Sequence, residues 1–143
     1  METLVVDASS LVDWLMKEDD RSLALDEILE PASLLGPGHL LIEASQSLKN
    51  LSRVRSSERI AEAFEALTSL SVTTLDFSDF ARIAWQHRHN LSLYDAGYLA
   101  TAIISGHSLV TSDRGLASVA KNYVDVIGPP DNIGDAEGPS TVR

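Results

Sequence analysis

Asp7, Glu43, Asp95 and Asp113 are the residues whose type and surroundings could do chemistry. Asp7 closes the apolar run Leu4-Val5-Val6, Glu43 follows Leu40-Leu41-Ile42, Asp95 precedes a run of small and apolar residues, and Asp113 lies two residues after Thr111. Carboxylates brought to one place bind hard divalent cations, and magnesium keeps several waters rather than filling its shell with protein oxygen. Two unit charges ~5 Å apart repel by about 3 kcal/mol at an effective dielectric of ~20. Several such pairs rival the ~5–15 kcal/mol that keeps a whole domain folded. A proton or a cation must share the site, and a metal is the simpler answer.

Whether the acids meet depends on the elements that carry them. Thr3–Val6, Ala32–Leu35, Ser71–Leu75, Ser108–Thr111 and Val124–Ile127 read as short buried strands. Helices are expected from Ser9 or Ser10 to Lys17, from Asp19 or Asp20 to Glu30, and over His39–Val54 and Ser57–Ser69. Others are expected over Ser78–His89, Leu93–Ser105 and Leu116–Lys121, and Gly36-Pro37-Gly38 reads as a turn that closes the second strand. In the fourth helix Ile60, Ala63, Phe64 and Leu67 fall at offsets 0, 3, 4 and 7, one apolar face. Strands alternating with helices predict an α/β fold, a three-layer α/β/α sandwich around a five-stranded parallel sheet with right-handed crossovers. Residues 1–128 form this domain, and the polar, Gly- and Pro-containing stretch 129–143 reads as a disordered tail.

Ligands of such sheets bind beyond the carboxyl ends of the strands, where strand order reverses. Asp7 and Asp113 end or follow strands, while Glu43 and Asp95 occupy first turns of helices that start on the same edge. Each acid alone has a structural reading. Asp7 could cap the first helix, Glu43 could sit in solvent, Ser92-x-x-Asp95 has the form of a capping box, and Asp113-Arg114-Gly115 is an ordinary turn sequence. Their joint placement favours a site. Asp76, just after the third strand, could reach the same edge as a supporting acid.

Composition narrows the field. The chain has 143 residues, no cysteine and a formal net charge of -10. Disulfides, thiolate metal sites and a cysteine nucleophile are excluded. No run approaches the ~20 apolar residues of a membrane span, and the opening lacks a signal-peptide pattern, so a soluble cytoplasmic protein is expected. The acidity argues against a broad basic face for nucleic acid.

At the quartet the chain resembles the PIN-domain ribonucleases, and within them the VapC-type toxins of toxin–antitoxin pairs. The segments that carry the likeness are Leu4-Val5-Val6-Asp7-Ala8-Ser9-Ser10, His39-Leu40-Leu41-Ile42-Glu43-Ala44, Leu91-Ser92-Leu93-Tyr94-Asp95-Ala96 and Leu109-Val110-Thr111-Ser112-Asp113, in the family's order. The resemblance covers residues 1–128 and implies that Asp7, Glu43, Asp95 and Asp113 form an acidic catalytic and metal-binding site, supported by Ser9 and Thr111. It implies Mg²⁺ or Mn²⁺ as cofactor, hydrolysis of RNA, a homodimer, and an antitoxin of the VapB type encoded nearby. A site this negative also invites a cation, so the antitoxin is expected to place an Arg or Lys in it.

No histidine is needed as a base. His87 and His89 are expected to face solvent near a helix end, and His39 and His107 beside turns are not expected to be ligands. Arg114, at the mouth, is a candidate RNA contact. Lys49, Arg53, Arg55 and Arg59 could track phosphates, but a solvated face paired with Glu58 and Glu62 is the plainer reading. Trp14, Phe64, Phe77, Phe80 and Trp85 are expected in the core. Two rival functions remain: a PIN-like binding module without nuclease activity, and a phosphoacceptor signalling domain. The second wants paired acids near the first strand and a lysine at the end of the last, which Asp7-Ala8-Ser9 and Val126-Ile127-Gly128 do not provide.

Overall fold

A computed structural model describes residues 1–128, and the tail expected to be disordered lies outside the described residues. Five strands, β1 (Thr3–Val6), β2 (Ser33–Pro37), β3 (Val72–Leu75), β4 (Leu109–Val110) and β5 (Val126–Ile127), form a sheet in the order β3-β2-β1-β4-β5. Every neighbouring pair is parallel. β1 is central, and its apolar residues Leu4, Val5 and Val6 are all fully buried, as a strand covered on both faces requires. The order reverses at β1, with β2 on one side and β4 on the other. That is the crevice where a parallel sheet opens to ligands.

Among the described residues seven helices connect the strands: α1 (Ala8–Met16), α2 (Asp20–Leu29), α3 (Leu40–Val54), α4 (Glu58–Thr68), α5 (Phe77–Gln86), α6 (Leu93–Ser105) and α7 (Arg114–Ala120). α1 packs on α2, α3 and α4, while α6 packs on α5 and on β1, β2 and β4. The expected α/β sandwich is therefore present. Among the described residues no helix is long and apolar enough to cross a membrane.

Several local expectations need correction. The turn at Gly36-Pro37-Gly38 is partly strand: β2 continues to Pro37, pairing Gly36 with Thr74 and Pro37 with Leu75. Proline is tolerated there because the pairing with β1 stops at Leu35, leaving one neighbour to satisfy. Phe64, Phe77 and Trp85 are exposed rather than core. The buried stripe of α4 is Ile60, Ala63 and Leu67, and Phe64 lies at its edge, about 40° from Ile60; that of α5 is Phe80 and Ala84, and Trp85 lies about 100° beyond Ala84. Trp85 is covered instead by Arg88, whose guanidinium lies 4.6 Å from the ring centroid. His87 is buried, not solvent-facing, and packs edge-on against Tyr123 with ring centroids 4.6 Å apart.

The basic junction is also structural, but its partners are distant in sequence. Arg55 pairs with Glu18 at 2.9 Å. Arg59 donates to the carbonyls of Met16 and Lys17, satisfying the last turn of α1 where Lys17 adopts a left-handed backbone at φ 56°.

Candidate active site

Asp7 sits where β1 hands over to α1, and it serves both. It caps α1 by accepting from the Ser10 backbone N–H at 3.0 Å. Its carboxylate also accepts from Ser9 Oγ at 2.9 Å, Ser10 Oγ at 2.7 Å and Thr111 Oγ1 at 2.6 Å. Burial pushes its pKa up, against the pull of these donors. Thr111 in turn accepts from the Asp113 backbone N–H at 2.9 Å, and Ser9 accepts from the Ser112 N–H at 3.1 Å. The ends of β1 and β4 are thus laced together across the crevice. Ser9 and Thr111 hold the supporting places expected of them.

Asp113 caps α7 through the Leu116 N–H at 3.0 Å. α7 consequently begins at Arg114, two residues before the expected start. Glu43 lies in the first turn of α3, and its Oε1 accepts from the Tyr98 hydroxyl at 2.5 Å. Asp95 lies in the first turn of α6, where Ser92 Oγ accepts from its backbone N–H at 3.1 Å. The capping half of the Ser92–Asp95 motif therefore forms. No hydrogen bond to the Asp95 carboxylate is found among the described residues, and its pKa is pushed up to about 6 by burial and then by Asp113, Glu43 and Asp7.

These four acids line one pocket of about 180 Å³ with Ala8, Ser9, Ser47 and Tyr98. Capping and site are not rival readings for Asp7 and Asp113, since an N-cap carboxylate at a strand end already faces the crevice. Among the described residues no three acids or histidines stand close enough to form a ready-made ligand set. The quartet instead surrounds a space that water can share, as magnesium requires. The donors fit a hard divalent cation: every polar side chain of the lining presents oxygen, and the charge crowding that raises Asp95 is what a cation would relieve.

Asp76 and Arg114 stand outside this lining. Asp76 occupies the cap position of α5 without a side-chain cap bond, and Arg114 is exposed on the first residue of α7. Ser10, Ser47 and Tyr98 are the residues that sequence reasoning missed. Helical spacing was the available signal: Ser47 is four residues after Glu43, and Tyr98 is three after Asp95.

His39 stands outside the pocket lining, and it ties α3 to α6. Its Nε2 lies 2.9 Å from the Tyr94 carbonyl, and its ring meets Phe80, Tyr94 and Tyr98 edge-on with centroids 5.2–5.8 Å apart. Gly97 makes room for it, because a Cβ there would stand 2.5 Å from His39 Cε1. Gly97→Ala should therefore destabilise by roughly 1–3 kcal/mol, although alanine is the better helix former by about 1 kcal/mol. Urea denaturation of the two proteins checks this, and an unchanged or higher midpoint would refute the packing argument.

Comparison with known proteins fits this geometry. Residues 4–122 match the PIN domain family, and the chain belongs to it. Ribonuclease VapC3 of Mycobacterium tuberculosis is 33% identical over 118 residues, spanning 81% of this chain and 86% of the relative. Among solved structures, PAE2754 from Pyrobaculum aerophilum superposes with a TM-score of 0.65 at 23% identity, covering 95% of this chain and 96% of its own. VapBC-5, a member of the VapBC family of toxin–antitoxin systems from Mycobacterium tuberculosis, gives a TM-score of 0.55 at 16% identity over 90% of this chain and 98% of that one. At these identities the two structures attest the fold.

Proposed function

We propose that this protein is a metal-dependent endoribonuclease and the toxin of a type II toxin–antitoxin pair. The observation that carries the reading is that Asp7, Glu43, Asp95 and Asp113, from four separate segments, line a single pocket at the switch point of the sheet. The relatives named VapC are ribonucleases by name, which supports the same conclusion. The four carboxylates would hold Mg²⁺ or Mn²⁺. When bound, such an ion lowers the pKa of water for attack on a phosphodiester and stabilises charge on the leaving oxygen.

The chain's own residues do the rest. Asp7, fixed by Ser9, Ser10 and Thr111, gives the site one carboxylate that cannot swing. Glu43 is braced by Tyr98. Asp95 and Asp113, on the first turn of α6 and at the cap of α7, complete the lining. Arg114, beside Asp113, is positioned to meet an RNA phosphate, a contact that adds affinity without reading sequence. We assign a VapB-type antitoxin as partner, with an Arg or Lys side chain entering the quartet, because a guanidinium fork neutralises two carboxylate oxygens at once. The structural likeness to VapBC-5, a member of a toxin–antitoxin family, supports an antitoxin partner. A cytoplasmic homodimer completes the proposal. A binding module without nuclease activity is disfavoured, because the quartet is intact.

Total cellular RNA incubated with the purified protein tests this reading. Cleavage is expected with Mg²⁺ or Mn²⁺ and is expected to stop when EDTA is in excess. Full activity in EDTA, from protein free of contaminating nuclease, would refute it.

A further inference from the structure

The hydroxyl of Tyr98 stands at a junction that neither the sequence pattern nor the resemblance assigns. Tyr98 is fully buried in the middle of α6, yet its ring edge reaches the lining of the acidic pocket. Its Oη donates to Glu43 Oε1 at 2.5 Å. One phenol oxygen therefore links α6, which carries Asp95 in its first turn, to the first turn of α3, which carries Glu43. His39 packs edge-on against the ring at a centroid distance of 5.2 Å and fixes its plane.

Glu43 depends on this one brace. Asp7 is held by three hydroxyls and an amide, and Asp113 by the cap of α7. Glu43 has a longer side chain, and the Tyr98 hydroxyl is the donor that reaches it among the described residues. A phenol in that place donates a proton without adding charge, so it orients the carboxylate and leaves the negative charge of the pocket unchanged. With Oε1 engaged, Oε2 is the oxygen left for a ligand.

We infer that Tyr98 is a positioning residue that sets the orientation of Glu43 for divalent metal binding. This rests on the metal-site reading proposed above. Partners that orient a metal-binding side chain are commonly worth roughly 10- to 100-fold in metal affinity. Tyr98→Phe removes one oxygen and keeps the ring against His39. Isothermal titration of RNA-free protein with Mn²⁺ should show affinity reduced about tenfold or more. The Mg²⁺ concentration that half-saturates RNA cleavage should rise by a similar factor. A merely structural tyrosine would lower the melting temperature of the metal-free protein and leave the metal requirement alone.

Should Tyr98→Phe fail to fold, the wild-type hydroxyl proton can be followed by NMR, with only 3 tyrosines to distinguish. It should resonate downfield as a proton shared with a carboxylate and should shift when Mg²⁺ is added. A folded Tyr98→Phe with wild-type Mn²⁺ affinity, or a hydroxyl proton indifferent to Mg²⁺, would overturn the inference about Tyr98. Wild-type protein that binds no Mn²⁺ at all would overturn the metal site itself.

Discussion

Asp95→Asn is expected to abolish RNA cleavage and, in the absence of metal at pH 7, to make the protein more stable. The first effect is the loss of one of four charges that hold the metal; ~4 kcal/mol of lost transition-state stabilisation would slow cleavage about a thousandfold. The second follows from the crowding that lifts the Asp95 carboxyl to about 6 in the folded protein, through burial and then Asp113, Glu43 and Asp7. The folded state holds that proton more tightly than the unfolded chain does. Stability contributed by the protonated group is complete below the unfolded value near 4, is lost as pH rises toward 6, and is absent at pH 7. Asparagine has no charge to crowd. Because Asp95 is only half-buried, the gain is discounted to ~1 kcal/mol, a few degrees in melting temperature. Melts in EDTA at pH 4 and pH 7 check the sign: the variants should differ at pH 7 and converge at pH 4. Mg²⁺ should then raise the melting temperature of wild type much more than that of Asp95→Asn. A destabilised Asp95→Asn at pH 7 would place the residue in the scaffold instead.

Asp7→Ala is expected to act in the opposite direction on stability while also ending cleavage. Asp7 is nearly as buried as the core, but its charge is met by the Ser10 amide and by the hydroxyls of Ser9, Ser10 and Thr111. Alanine removes the acceptor and leaves those donors facing a cavity. The Ser10 hydroxyl keeps an alternative in the Val110 carbonyl at 2.9 Å, whereas the Ser10 amide loses its cap. A lost cap costs about 1 kcal/mol and each unpaired buried donor a further ~1–3 kcal/mol, so a total of roughly 3 kcal/mol or more is expected. Urea denaturation with and without Mg²⁺ should show the deficit in both. An Asp7→Ala protein as stable as wild type would mean that the hydroxyl network does not hold the sheet edge.

The contrast between these two acids marks what was readable in the chain. The strand ends were legible because apolar runs stop sharply at Asp7 and two residues before Asp113, and the parallel-sheet rule then brings both to one edge. Glu43 was legible because a charge interrupts an apolar helix start. The supports were not. Tyr98 looks like any core aromatic until its hydroxyl is seen beside Glu43, 55 residues earlier in the chain. Arg59 looks like a solvated helix charge until it is seen capping α1, 42 residues away. Periodicity locates a helix face without fixing how far cover extends around it, which is why Phe64, at the edge of the α4 stripe, and Trp85, beyond that of α5, are exposed. His87 shows the same gap, since its burial depends on Tyr123 arriving from beyond β4.

Diffraction from crystals soaked in Mn²⁺, with anomalous scattering used to locate the ion, tests the acid quartet most directly. The expected result is a Mn²⁺ peak in the pocket bounded by Asp7, Glu43, Asp95 and Asp113, with carboxylate oxygens in its coordination shell. Protein that cleaves RNA in Mn²⁺ yet binds its ion elsewhere, with the four carboxylates uninvolved, would contradict the account.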